Sequence, residues 1–403
     1  MLSSLFAEDT SPTQKAFLSL TYLYVFFIPF PHITAIQQIL YYVILCLFLY
    51  RLINKQIVLS LDFPLVLPLA IFILWSLVTV VTALDKIGSL QAYYSHLIRY
   101  VVLLVVFVHT FRSRKHLTFL GYIIMISGAV YATGLILYWY VLLDNSLFSR
   151  FSLASVGTNT IGYVTILALV LAIHFLKTES RAPRWLPVVC LSVTGIATLL
   201  SQSRASFIAL AFVFFIMFHE KKKTLFACII LLFVFIFLSP MRERVFEAGA
   251  HYSIRIGSYY YFAEMIKENP WTGLGFSLDT FLSDEYINRE VYMSRIPVEY
   301  AHPEHPYYWP HNMLINLAVR TGLVGLVLFL AVPVTAIRMC LVSVRNQDEF
   351  VRSWAVLCLA ALSSFLVKGM FDQVFLHLAD MIFYTILSMI VFVWREGRKA
   401  VNR

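Results

Sequence analysis

The sequence predicts an all-α integral membrane protein of about twelve transmembrane helices with one large extramembrane loop. Three observations give that class. Hydrophobic residues make up 60% of the 403 positions and charged residues only 13%, with a mean hydropathy of +0.79, which is far too apolar for a soluble domain. Apolar runs recur at about the length, roughly 20 residues, that a helix needs to cross a hydrocarbon core of about 30 Å. Backbone polar groups in lipid must be satisfied within the segment, so such runs form helices. The third observation is that the basic residues gather on one side of this pattern.

In chain order the runs fall at 16–31, 33–52, 63–83, 96–111, 117–143, 155–176, 185–201, 204–219, 224–240, 312–337, 353–370 and 373–394. Residues 1–240 thus hold nine spans. Residues 241–311 form the loop, and 312–403 hold three more spans and a tail, in one membrane domain. With the N-terminus in the cytoplasm, the inside loops and tails collect 19 of the 31 basic residues, from Lys15 and Arg51 through Lys221–Lys223 to Arg398 and Arg403. That is the positive-inside pattern. It accounts for the net charge of +9 without nucleic acid, puts both termini in the cytoplasm, and turns the long loop toward a periplasm-like space.

The first apolar run follows Ser11-Pro12-Thr13-Gln14-Lys15 with no small-residue cleavage pattern, so it reads as a span and not a removable signal. Cys46, Cys190, Cys228, Cys340 and Cys358 all lie in apolar segments, which argues against disulfides and a cysteine metal site in the loop.

The loop carries 10 of the chain's 22 acidic residues, beside Arg255, Arg289, Arg295, His251, His302, His305 and His311. Ser253 to Lys267 reads as an amphipathic helix, capped by Ser253 and ended by Asn269-Pro270, with Arg255, Tyr259 and Phe262 on one face. Such a helix suits a membrane surface. Trp271-Thr272-Gly273-Leu274-Gly275 makes a glycine turn without the Gly-Lys-Ser/Thr ending of a phosphate loop, so nucleotide binding is not indicated. His302-Pro303-Glu304-His305 holds ligand-type residues, but Pro303 and Pro306 forbid the helix that would align them; no metal is expected.

Twelve basic residues break the inside rule: Lys86, Arg99, Arg150, Arg204, Arg242, Arg244, Arg255, Lys267, Arg289, Arg295, Arg320 and Lys368. Charge at membrane depth lines a cavity or finds a partner. Arg204 ends the polar turn Ser201-Gln202-Ser203 between two apolar runs. A guanidinium there suits phosphate oxygens or a side chain reaching to the interface. Arg150, before a small polar stretch, carries the same pair of readings. For Arg99 and Arg320, pairing or snorkelling is the simpler account. His311 and Asn312 stand where span ten begins, a helix N-terminus that favours anions. A histidine there can take a proton from a hydroxyl or serve as a cap. Lys368 and Asp372 lie in the last loop-side turn, as substrate contacts or as an interfacial ion pair; Asp372 could also orient His311.

These residues resemble the O-antigen ligase family. Ser201-Gln202-Ser203-Arg204-Ala205 looks like its Ser/Thr-x-Ser/Thr-Arg-Ala turn, and Arg255 with Glu264-Met265-Ile266 and Pro270-x-x-Gly273-x-Gly275 looks like its loop helix and glycine turn. Pro310-His311-Asn312, with Gly322 and Gly325 beyond, looks like its His-Asn motif, and Asp372 fits as well. The resemblance implies a metal- and ATP-independent glycosyltransferase at the periplasmic face of the bacterial inner membrane. Its donor would be O-antigen on undecaprenyl diphosphate and its acceptor lipid A-core. It assigns His311 as general base, Arg204 and Arg255 to the diphosphate as catalytic groups, and Arg150, Asn312, Lys368 and Asp372 to substrate binding. An O-antigen polymerase would share the donor site and differ in acceptor. A transporter of lipid-linked sugars is the reading from another class; it predicts repeat symmetry and midplane charge, and neither shows in the sequence.

Overall fold

The computed structural model of the protein describes residues 11–146, 149, 158–178, 183–238, 250–277, 280, 283–302, 307, 309–372 and 377–401. Arg150, Arg242, Arg244 and His305 lie outside them. Among the described residues there is no strand, and all twelve predicted runs are helical. The membrane-type helices are α1 (Pro12–Phe27), α2 (Thr34–Ile53), α3 (Val66–Val81), α4 (Lys86–Tyr93) continuing through a π turn (Tyr94–Ile98) into α5 (Arg99–Thr110), and α6 (Arg114–Ile136). They continue as α7 (Thr158–Lys177), α8 (Trp185–Leu200), α9 (Arg204–Phe218) and α10 (Lys222–Leu238). After the loop helices α11 (Ala250–Glu268) and α12 (Arg289–Met293) come α13 (Met313–Val344), α14 (Glu349–Gly369) and α15 (His377–Val401).

Seven of these segments are long and apolar enough to cross a membrane: Pro31–Ile53, Lys86–Thr110, Arg114–Leu142, Thr160–Lys177, Met313–Val344, Glu349–Gly369 and His377–Lys399. Val66–Val81, Trp185–Leu200 and Arg204–Phe218 are apolar but shorter. Local chemistry sets the helix starts. Ser11 accepts a hydrogen bond from Gln14 N ahead of Pro12, Asp85 from Gly88 N at 2.8 Å, and Asp348 from Val351 N at 3.2 Å, satisfying amide donors that a helix end leaves over.

Two boundaries correct the sequence reading. The fourth span begins at Lys86, not near 96, because Asp85 caps it and its polar first turns are covered by the loop: Leu84 N donates to Leu274 O at 3.2 Å, and Ser277 N to Ser89 Oγ at 3.2 Å. The loop helix α11 begins at Ala250, so Ser253 lies inside it and does not cap it. The apolar face of α11 is not left for lipid either. Phe262 and Met265 are fully buried with Leu274, Ile296 and Val319 in a small core that joins the loop to α13.

The glycine turn is what docks the loop. At Gly322 (φ 71°, ψ 177°) α13 leaves helical geometry, which frees backbone groups for the turn. Leu274 N donates to Val319 O at 2.8 Å, Gly275 N to Arg320 O at 3.2 Å, and Leu323 N to Pro270 O at 2.7 Å. A Cβ on Gly322 would overlap the Trp271 carbonyl and lie 2.7 Å from Thr272 N. Positive φ and close backbone approach together require glycine there.

Candidate active site at the loop end of the bundle

The Ser201–Arg204 turn joins α8 to α9 through Gln202 at φ 47°. Ser201 Oγ donates to Thr198 O at 2.7 Å, and Ser203 Oγ accepts from Ser206 N at 3.4 Å as the cap of α9. These hydroxyls shape the tight turn that the polar residues predict. Ser201, Gln202 and Ser203 are buried, while Arg204, the first residue of α9, is half-buried and is the charge the turn presents.

Lys368 ties the end of α14 to this turn. It is 1% exposed, its Nζ donates to Ser206 Oγ at 3.0 Å, and it lies 4.9 Å over the Tyr163 ring. Gly162 makes the room, since a Cβ there would come within 2.5 Å of Lys368 Nζ. Asp372 is buried in the turn after α14, within electrostatic reach of both Lys368 and Tyr163.

His311 is placed by α11. Ser253 Oγ meets His302 Nε2 at 2.7 Å, Ser258 Oγ donates to Trp309 O at 2.9 Å, and Gly257 leaves space for the Tyr307 hydroxyl. The segment thus laid along α11 turns at His311, in a left-handed conformation (φ 45°). Such a conformation is costly outside glycine and is held only by its surroundings. Burial first, and the Arg255 guanidinium second, push the His311 imidazole down to about 4, so at neutral pH it is uncharged and able to accept a proton.

Asn312 caps α13. Its Oδ1 accepts from Leu314 N at 2.8 Å and Ile315 N at 3.2 Å, and its Nδ2 donates to Met370 O at 3.1 Å. Hydrogen bonds therefore run from the residue beside His311 to the turn that follows Lys368, and from Lys368 to the helix that starts at Arg204. The structure brings His311 within electrostatic reach of Arg255, and Lys368 within reach of Asp372, with Lys368 bonded to the helix that starts at Arg204. Other stray charges are accounted for locally. Arg295 pairs with Glu268 at 2.5 Å, Arg289 forms a two-pronged pair with Asp284, and Lys267 pairs with Glu264.

Sequence reasoning missed a buried polar layer just inside the bundle. His96 Nδ1 meets Asp380 Oδ2 at 3.0 Å, the His96 and His377 rings stack at 4.5 Å, and Tyr100 Oη meets His377 Nδ1 at 2.9 Å. Arg320, expected to snorkel or pair, is 0% exposed with its guanidinium 4.9 Å over Phe276, within electrostatic reach of His96. The signal available was ionisable residues inside apolar runs; tallying basic residues alone passed over His96, His377 and Asp380.

The site therefore sets the Arg255 guanidinium beside His311 at the start of α13. Residues 188–330 match the family model for O-antigen ligase. The match bears out the resemblance read from the motifs and spans the Arg204 turn, α11, the glycine turn and His311. No curated protein matches the chain. Within the matched segment Arg255 lies in electrostatic reach of His311. Among the described residues no cluster of three or more histidine, cysteine or acidic side chains is arranged to hold a metal.

Proposed function

We propose that the protein transfers O-antigen polysaccharide from undecaprenyl diphosphate to lipid A-core at the periplasmic face of the inner membrane. The observation that carries this reading is His311 at the start of α13 within reach of Arg255, inside the segment matched by the O-antigen ligase family. Arg204 and Arg255, with Arg150, hold the diphosphate. The acceptor hydroxyl attacks the anomeric carbon while the bond to the diphosphate oxygen breaks and its electron pair leaves with the diphosphate. The hydroxyl proton passes to His311. Direct attack inverts the anomeric centre. The preplaced guanidinium groups neutralise charge as it develops on the leaving group, and a general base contributes about 10²–10⁴-fold in rate. Lys368 braces the helix that starts at Arg204 through Ser206, with Asp372 as its charge partner. No ATP is required, since the diphosphate is itself an activated leaving group, and the guanidinium groups take the charge-neutralising role that a metal would otherwise fill.

The test is transfer by purified protein given lipid-linked polysaccharide and lipid A-core, with EDTA and without ATP, read as a lipopolysaccharide mobility shift. Ligated product is the expected result. Donor chains that lengthen when lipid-linked repeats are supplied alone, without ligation, would make the protein a polymerase and overturn the acceptor assignment.

A further inference from the structure

Asn316 stands one turn into α13 from the Asn312 cap and is 0% exposed. Among the described residues neither its Nδ2 nor its Oδ1 has a hydrogen-bond partner. Native proteins match the great majority of buried polar side-chain atoms, and a buried carboxamide with both ends unmatched is costly. Its place in the fold is informative. Met313, Asn316 and Arg320 follow the i, i+3, i+7 spacing of one helix face. Met313 packs against Gly369, so this face is turned toward the end of α14, where Lys368 and Asp372 lie. Arg320, one turn further in, reaches the His96–Asp380 pair electrostatically. Asn316 thus sits between the candidate active site and the buried polar layer.

The chemistry narrows the partner. A phosphate has only acceptors and would match the amide nitrogen alone; a prenyl or acyl chain would match neither atom. Sugar hydroxyls both donate and accept, so one sugar ring can satisfy Nδ2 and Oδ1 together. The geometry points to Asn316 as a glycan-binding residue of this site, its carboxamide holding hydroxyls of a substrate sugar. This rests on the transfer reading above, and the sugar is either the donor's ring next to the diphosphate or the acceptor's core sugar.

Full-length Asn316→Leu protein, near-isosteric and apolar, would be compared with wild type for thermal midpoint in detergent and for separate donor and acceptor KM in the transfer assay. The expected result is an unchanged or higher midpoint with one KM raised about 10-fold or more, since a site built to hydrogen-bond a hydroxyl loses that discrimination when its partner goes. A rise confined to the donor places the donor sugar there, and one confined to the acceptor places the core sugar. Both KM values unchanged in a folded variant would overturn the proposal while leaving the transfer reading intact. Wild-type protein that transfers nothing would instead defeat the transfer reading. Should Asn316→Leu not fold, Asn316→Ala and wild type would be compared for binding of undecaprenyl diphosphate and of its glycosylated form, and for acceptor binding. Equal affinities in both proteins for every ligand would overturn the proposal, and weaker glycan binding by Asn316→Ala would sustain it.

Discussion

Gly322→Ala is the perturbation that best tests how the loop is seated. The position has φ 71° and ψ 177°, a region that only glycine occupies readily; forcing another residue there costs about 1–3 kcal/mol. The new methyl would overlap the Trp271 carbonyl, a backbone atom that cannot rotate aside. The turn must therefore retreat from α13, straining the backbone hydrogen bonds Leu274 N to Val319 O, Gly275 N to Arg320 O and Leu323 N to Pro270 O. At about 0.5–1.5 kcal/mol net for each, strain and hydrogen bonds together put the loss at about 2.5–7.5 kcal/mol, a large part of the margin that typically separates folded from unfolded protein. Denaturation in detergent, followed by loop proteolysis and transfer activity, reads the effect. Gly134→Ala is the matched control. It lies inside α6 with no heavy atom within 4 Å of its would-be Cβ, so alanine should be neutral or stabilise by about 0.5–1 kcal/mol. Gly322→Ala with wild-type stability and transfer would refute the docking argument.

Two further predictions concern His311 and its neighbour. Because the free protein holds His311 at about 4, kcat/KM should stay level as pH falls through 6 and drop only on approach to 4, where the imidazole takes up a proton. A diphosphate bound at Arg255 offsets the guanidinium charge, so the acid limb of kcat should lie at higher pH than that of kcat/KM; Arg255→Gln should also move the kcat/KM limb upward, modestly, since burial is the larger cause. A kcat/KM limb at the ordinary histidine value near 6.5 would contradict this environment. Asn312→Ala removes the acceptor of two helix-start amides and the donor to Met370 O and should cost about 1–2 kcal/mol in denaturation midpoint experiments. Asn312→Asp keeps the cap and should retain transfer; lost transfer at intact stability would put Asn312 on the substrate.

Much of this was legible in the sequence, for identifiable reasons. Apolar runs long enough for lipid had to be helices, and each predicted run is one. His311 and Arg255 were each legible from motif likeness, and the structure brings them together: α11 holds His302, Tyr307 and Trp309 through Ser253, Gly257 and Ser258. What the sequence hid came from tertiary contact. The start of the fourth span at Lys86 depends on Ser89 and Leu84 meeting the loop. The glycine turn looked like a local device, and its role as a dock needs the break at Gly322, some fifty residues beyond the turn. Asn316 reads as an unremarkable member of an apolar run, and Arg320 as a residue that pairs or snorkels, until their burial is seen.

The most direct measurement is the separation of binding from transfer in His311→Ala. Purified at normal abundance, the variant should bind undecaprenyl-diphosphate-linked glycan as wild type does and form ligated product about 10²–10⁴-fold more slowly. Ligation by His311→Ala at the wild-type rate would contradict the assignment of His311 as the base, and with it the account of how this site works.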